Sequence, residues 1–187
     1  MENQIQEIVS RFDPIDSKFI NSQIKKVLKK MSVKSSADLE NLMRLVYCLY
    51  CKGYKQEFYS LCPVLIEFEY KNWDTWTWCE YMLALLYFDA KINGDSLHFE
   101  DVVLNKILAQ KDMVNIKRTC DGGFLVDRKS RLDKAKELGK KTDIRDCLLL
   151  YLYELVLVYA CGGSEMYPLE FLEKEIFGTI DELNTIL

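Results

Sequence analysis

Residues 147–161 read Cys147-Leu148-Leu149-Leu150-Tyr151-Leu152-Tyr153-Glu154-Leu155-Val156-Leu157-Val158-Tyr159-Ala160-Cys161. Every side chain in the run except Glu154 is apolar or aromatic. A bilayer-spanning helix needs about 20 such residues. This run is shorter and carries a carboxylate at its centre, so it reads as a buried core helix. Thr142 or Asp143 is its expected cap, and Gly162-Gly163 its expected end.

Outward from this stretch the apolar residues keep a helical period almost everywhere. Ile5, Ile8, Val9 and Phe12 mark a short amphipathic helix ended by Asp13-Pro14. Phe19, Ile20, Ile24, Val27, Leu28 and Met31 recur at intervals of three and four, opposite Lys25, Lys26, Lys29 and Lys30. Ser35 or Ser36 is a good cap for a third helix that Gly53 stops. A fourth runs from Tyr54 to about Glu69, with a kink or break expected at Pro63. Asn72-Trp73-Asp74 reads as a turn, with Asp74 or Thr75 capping a fifth helix that ends before Gly94. Leu97–Lys111 and Asp127–Leu138 supply the sixth and seventh, and Tyr167-Pro168 opens a ninth. Only Gly123-Phe124-Leu125-Val126 suggests a strand or extended segment. The expectation is an all-α chain of about nine helices, packed as hairpins in a bundle or short solenoid. It forms a single domain over 1–187, with a sub-division near the 112–126 loop as the alternative.

Composition narrows the function. The chain has 187 residues, 49% of them hydrophobic, with eight Gly and three Pro, so it carries enough apolar mass for a core without staples. Net charge is −4 and the isoelectric point about 5.2, which argues against a general nucleic-acid binder. Charge alternates along the chain: +3 over 1–34, −5 over 35–110, +4 over 111–146 and −6 over 147–187. Seven cysteines, an odd number and mostly among apolar neighbours, fit free thiols in a reducing cytoplasm. The first residues lack a basic and apolar leader pattern, so no secretory signal is expected.

Chemistry-bearing motifs are sparse. Cys48-Leu49-Tyr50-Cys51 has the redox spacing. It falls at the C-terminal end of an apolar helix, where the dipole opposes thiolate formation, and reads as core thiols. Asp89 to Glu100 has the outline of a calcium loop, with Asn93 and Gly94 at positions five and six. Lys91 at position three puts a cation where a ligand oxygen belongs. With Asp95 and His98, the only imidazole, this segment is the one place for a metal-dependent enzyme, with Asp89, Asp95, His98 and Glu100 as its residues. The basic run Arg128–Lys141 is interleaved with Asp127, Asp133 and Glu137 and reads as a solvated helix face. Trp73 and Trp76 lie one turn apart in the aromatic-rich stretch 47–88, available as anchors for a partner.

Two resemblances follow. Tyr50-Cys51-Lys52-Gly53-Tyr54-Lys55-Gln56-Glu57-Phe58 resembles the turn of a tetratricopeptide hairpin, although no repeat of about 34 residues follows. In size, acidity and helical class the chain resembles the immunity proteins of bacterial toxin systems, which cover a toxin's active site. That resemblance implies a non-catalytic protein that neutralises a basic partner through acidic helical surfaces. Its contacts would be Glu67, Glu69, Asp74, Glu165, Glu170 and Glu173, with Trp73 and Trp76 as anchors. No cofactor, metal, nucleic acid or membrane is expected. The alternatives are a tetratricopeptide-like adaptor or chaperone that binds peptides, and the metal-dependent enzyme above.

Overall fold

The structure, a computed structural model, describes residues 2–29, 31–32, 35–68, 73–93, 99–109, 122 and 124–187, without the side chains of 73–76 and 108. Among the described residues the chain is all helical. The elements are α1 (Glu2–Ser10), α2 (Lys18–Lys29), α3 (Ser36–Cys51), α4 (Lys55–Ile66), α5 (Trp73–Ile92), α6 (Glu100–Ala109), α7 (Leu125–Leu138), α8 (Lys141–Ala160) and α9 (Leu169–Ile186). They form two compact units: Met1–Leu83 with Leu187, and Ala84–Ile186, the division falling inside α5. The 112–126 loop read from sequence as a sub-division lies largely outside the described residues.

In the first unit, consecutive helices pair, α1 with α2, α2 with α3 and α3 with α4, and α1 also meets α4. Ile5, Ile20, Leu39, Leu42, Phe58 and Leu61 are fully buried between them. Ser35 caps α3, its hydroxyl accepting from the Asp38 N–H. Buried Tyr47 and half-buried Trp78 both find partners for their polar groups. The Tyr47 hydroxyl donates to the Tyr81 carbonyl at 2.8 Å, and the Trp78 indole N–H to the Ser36 hydroxyl at 2.7 Å.

The helix ends read from Gly53 and Gly162-Gly163 have a common backbone cause. After α3, Tyr54 N–H bonds the Leu49 carbonyl and Gly53 N–H the Tyr50 carbonyl. After α8, Gly163 N–H bonds Val158 and Gly162 N–H bonds Tyr159. Both are Schellman closures with glycine in the left-handed region, at φ 78° and 93°.

Four sequence expectations need correction. Pro63 does not break α4 at its own position; it sits inside, and the helix stops three residues later, at Ile66. Trp73 and Asp74 are not a turn but the first residues of α5. Leu125 and Val126 are not extended but the first turn of α7, because Phe124 is already right-handed helical. Lys140, not Thr142 or Asp143, stands at the N-cap of α8; its side chain caps no backbone N–H and instead pairs with Asp143 at 3.0 Å.

In the second unit α8 is the axis. All its residues from Tyr151 to Ala160 are buried, Glu154 included. The Gly139-Lys140 connection folds α8 back along α7, and Cys161–Pro168 folds α9 back along α8, so α7 and α9 run parallel. Phe88 of α5 meets Tyr159 edge-on at 5.1 Å and Phe177 at 5.7 Å, closing the core on that side. Among the described residues no helix is long and apolar enough to cross a membrane.

Candidate functional site

Two rows of polar side chains tie α7 and α9 to the central helix. On α8, Tyr151 donates its hydroxyl to Glu175 Oε2 at 3.0 Å, and Tyr159 donates to Glu173 Oε1 at 3.0 Å. Burial first, and the adjoining carboxylate second, push both phenols well above their ordinary pKa. From the other side the Lys129 ammonium lies 5.5 Å from the centre of the Tyr151 ring and 3.4 Å from Asp133. One heptad further along both helices, Lys136 reaches Glu182 at 2.7 Å. Lys129 and Glu175 flank the same Tyr151 ring, and the Lys136–Glu182 pair stands seven residues further along both helices.

Between those helices, over Tyr151, lies an open trough of about 760 Å³. Val126, Tyr167 and Phe171 are its apolar end, and the Tyr167 and Phe171 rings are 5.9 Å apart. It meets a second hollow of about 250 Å³ at Lys129, Tyr151 and Glu175, which line both. The floor of the second hollow includes Gly178, where an added Cβ would meet nothing within 4 Å. Phe171 of the trough lining is 40% exposed, and near it in sequence Met166 is 71% exposed and Leu169 41%, flanked by exposed Glu165 and Glu170.

The acidic residues singled out in the sequence fall into two groups. Glu165, Glu170 and Glu173 lie within nine residues on the second unit, the first two exposed and the third bonded to Tyr159. Glu173 is therefore part of the scaffold as well as the surface. Glu67 is exposed on the first unit, directly after α4. Glu69 and the side chains of Trp73, Asp74 and Trp76 lie outside the described residues.

The calcium-like segment is organised by its own lysine. Lys91 pairs with Glu100 at 2.9 Å, so the cation at position three occupies the carboxylate expected to bind calcium at position twelve. Glu100 in turn raises the Lys91 pKa. Asp89 is buried and accepts from the Asn93 amide at 2.6 Å, while Asp95 and His98 lie outside the described residues. Among the described residues no three His, Cys, Asp or Glu side chains are grouped to hold a metal ion. Cys48 and Cys51 are both buried, and burial pushes the Cys51 thiol up, with Cys48 adding to the effect.

Sequence reading missed the trough, because it took the charged α7 as a solvated face only. Two signals were present: the matched heptad spacing of Lys129/Lys136 and Glu175/Glu182, and a mid-helix glycine at 178.

These features describe an all-helical protein with a polar, aromatic-ended trough on a three-helix face. The chain belongs to the Family of unknown function (DUF6707), whose model matches residues 1–185. No curated protein and no solved structure matches it.

Proposed function

We propose that this is a non-catalytic protein-binding protein whose contact surface centres on the N-terminal end of α9 and the loop before it. The observation that carries the reading is the exposure of Met166, Leu169 and Phe171 within six residues, flanked by Glu165 and Glu170. Exposed apolar groups rimmed by charge mark interaction sites, because their burial stabilises a complex while the rim sets orientation. The acidic rim favours a partner with a basic surface and raises its on-rate. An immunity-type role, covering a basic toxin, is the specific form this takes. A groove-binding adaptor is the second reading, favoured by the trough between α7 and α9.

The test is affinity capture from the native lysate with wild type, Met166→Asp/Phe171→Asp and Glu165→Lys/Glu170→Lys, all checked for helicity. One stoichiometric partner of basic character is expected. The apolar variant should bind it at least about tenfold more weakly, and the charge variant should lose most of its salt dependence. No stoichiometric partner, or equal retention by both variants, overturns the proposal.

A further inference from the structure

The outer face of α2 carries charge of one sign only. Between Lys18 and Lys29 the sequence holds four lysines and no acidic residue. Lys18, Lys25, Lys26 and Lys29 are all exposed, and among the described residues none of them forms an ion pair. On α7, by contrast, Lys129 is paired with Asp133 and Lys136 with Glu182. Intervals of seven and four return to the same side of a helix, so Lys18, Lys25 and Lys29 form one stripe. Leu28, 37% exposed, lies one turn beyond Lys25 and next to Lys29. The first unit thus presents an apolar side chain among unpaired lysines.

The surface at the start of α9 has the opposite polarity. Met166, Leu169 and Phe171 are exposed there beside Glu165 and Glu170, and among the described residues neither glutamate forms an ion pair. Glu173 does not add to this free charge, because it accepts from Tyr159. The two faces match in kind: each has an exposed apolar centre and unneutralised charge of a single sign, and the signs are opposite. Like charges gathered on one surface repel one another, and a surface of the other sign relieves that repulsion and steers the approach. The sequence itself therefore supplies the basic surface that the acidic rim favours.

We infer that this chain associates with itself head to tail, the α2 face of one copy seated on the 165–171 surface of the next. The inference rests on the protein-binding reading above and names an occupant for that surface. The apolar centres meet, and the lysines of α2 face Glu165 and Glu170. The contact is heterologous, since it joins two different faces. It has few apolar groups and much exposed charge, so it is weak and salt-sensitive.

The test is sedimentation velocity of the full chain from micromolar to millimolar concentration, at low and physiological salt. Wild type should associate as concentration rises, and less so at the higher salt. Lys25→Glu/Lys29→Glu and Glu165→Lys/Glu170→Lys should each weaken association at least about tenfold, because like charges then face each other across the contact. Mixed one to one, the two variants should associate as wild type does, since each supplies the face complementary to the other's. The fourfold variant, with both swaps in one chain and the net charge still −4, should do the same. Misfolding or a change in net charge cannot produce such a restoration. A monomeric wild type, variants that associate as strongly as wild type, or a mixture that stays dissociated overturns the proposal. If wild type is monomeric but captures a stoichiometric partner of another sequence, the protein-binding reading stands and self-association falls. If neither occurs, both fall.

Discussion

The tyrosines of α8 show how single residues set conditions on the whole second unit. Tyr151 and Tyr159 are both almost fully buried, and each hydroxyl is satisfied by a glutamate on α9. A hydrogen bond to a charged acceptor contributes about 1.5–3 kcal/mol, so Tyr151→Phe and Tyr159→Phe should each lower stability by about 2 kcal/mol in urea melts near neutral pH. Both phenols ionise less readily in the folded chain than in the unfolded one, where the pKa is about 10. The folded state thus holds more protons above that point. Its stability is fully present below pH 10 and falls as pH rises, by up to about 1.4 kcal/mol per unit for each tyrosine. The phenylalanine variants should flatten that alkaline slope; an unchanged slope would show that neither phenol governs it. Glu154, the one charge in the apolar stretch, is buried with Arg128 3.9 Å away. Arg128→Leu alone should cost about 2 kcal/mol, and a double-mutant cycle with Glu154→Leu should give a coupling energy of about 1 kcal/mol or more; strict additivity would show that the pair contributes nothing.

Helix ends separate what sequence makes legible from what it hides. Period and glycine placed α1 to α4 and α7 to α9 to within a few residues, because amphipathic burial and the Schellman closures at Gly53 and Gly162 act locally. The starts of α5, α7 and α8 were misread. α7 and α8 start without a side-chain cap to announce them, Phe124 preceding α7 and Lys140 preceding α8, and α5 already begins at Trp73. The trough left only indirect marks in the sequence, since it depends on which faces of α7 and α9 meet α8. Glycines at these ends differ in a testable way. Gly139 closes α7 at φ 71°, and an added Cβ there meets open space. Gly163, at φ 70°, would place that atom 2.7 Å from the Tyr167 carbonyl oxygen. Gly139→Ala should therefore cost about 1 kcal/mol, the strain of the left-handed conformation alone. Gly163→Ala should cost at least about 2 kcal/mol, since backbone must move as well. Equal melting shifts would contradict this ordering.

At the scale of the whole molecule, the acidity noted in the sequence resolves into two different surfaces. Glu67 belongs to the first unit, whereas Glu165 and Glu170 border the exposed apolar residues of the second. The modest net charge concealed this, since α7 carries the compensating lysines. The two units also share one helix. α5 runs unbroken from Trp73 to Ile92, contributing residues through Leu83 to one core and from Ala84 onward to the other. Fraying that helix in either unit removes a boundary condition of the other, so the chain should unfold as one cooperative system. The tryptophans make this measurable: Trp73, Trp76 and Trp78 are the only three in the sequence, and all lie in the first unit. Their fluorescence reports that unit alone, while far-ultraviolet circular dichroism reports both. Coincident urea transitions by the two probes are expected. Gly163→Ala, wholly within the second unit, should shift the tryptophan midpoint as much as the dichroism midpoint. A tryptophan transition that ignores the mutation would mean that the shared helix does not couple the two cores.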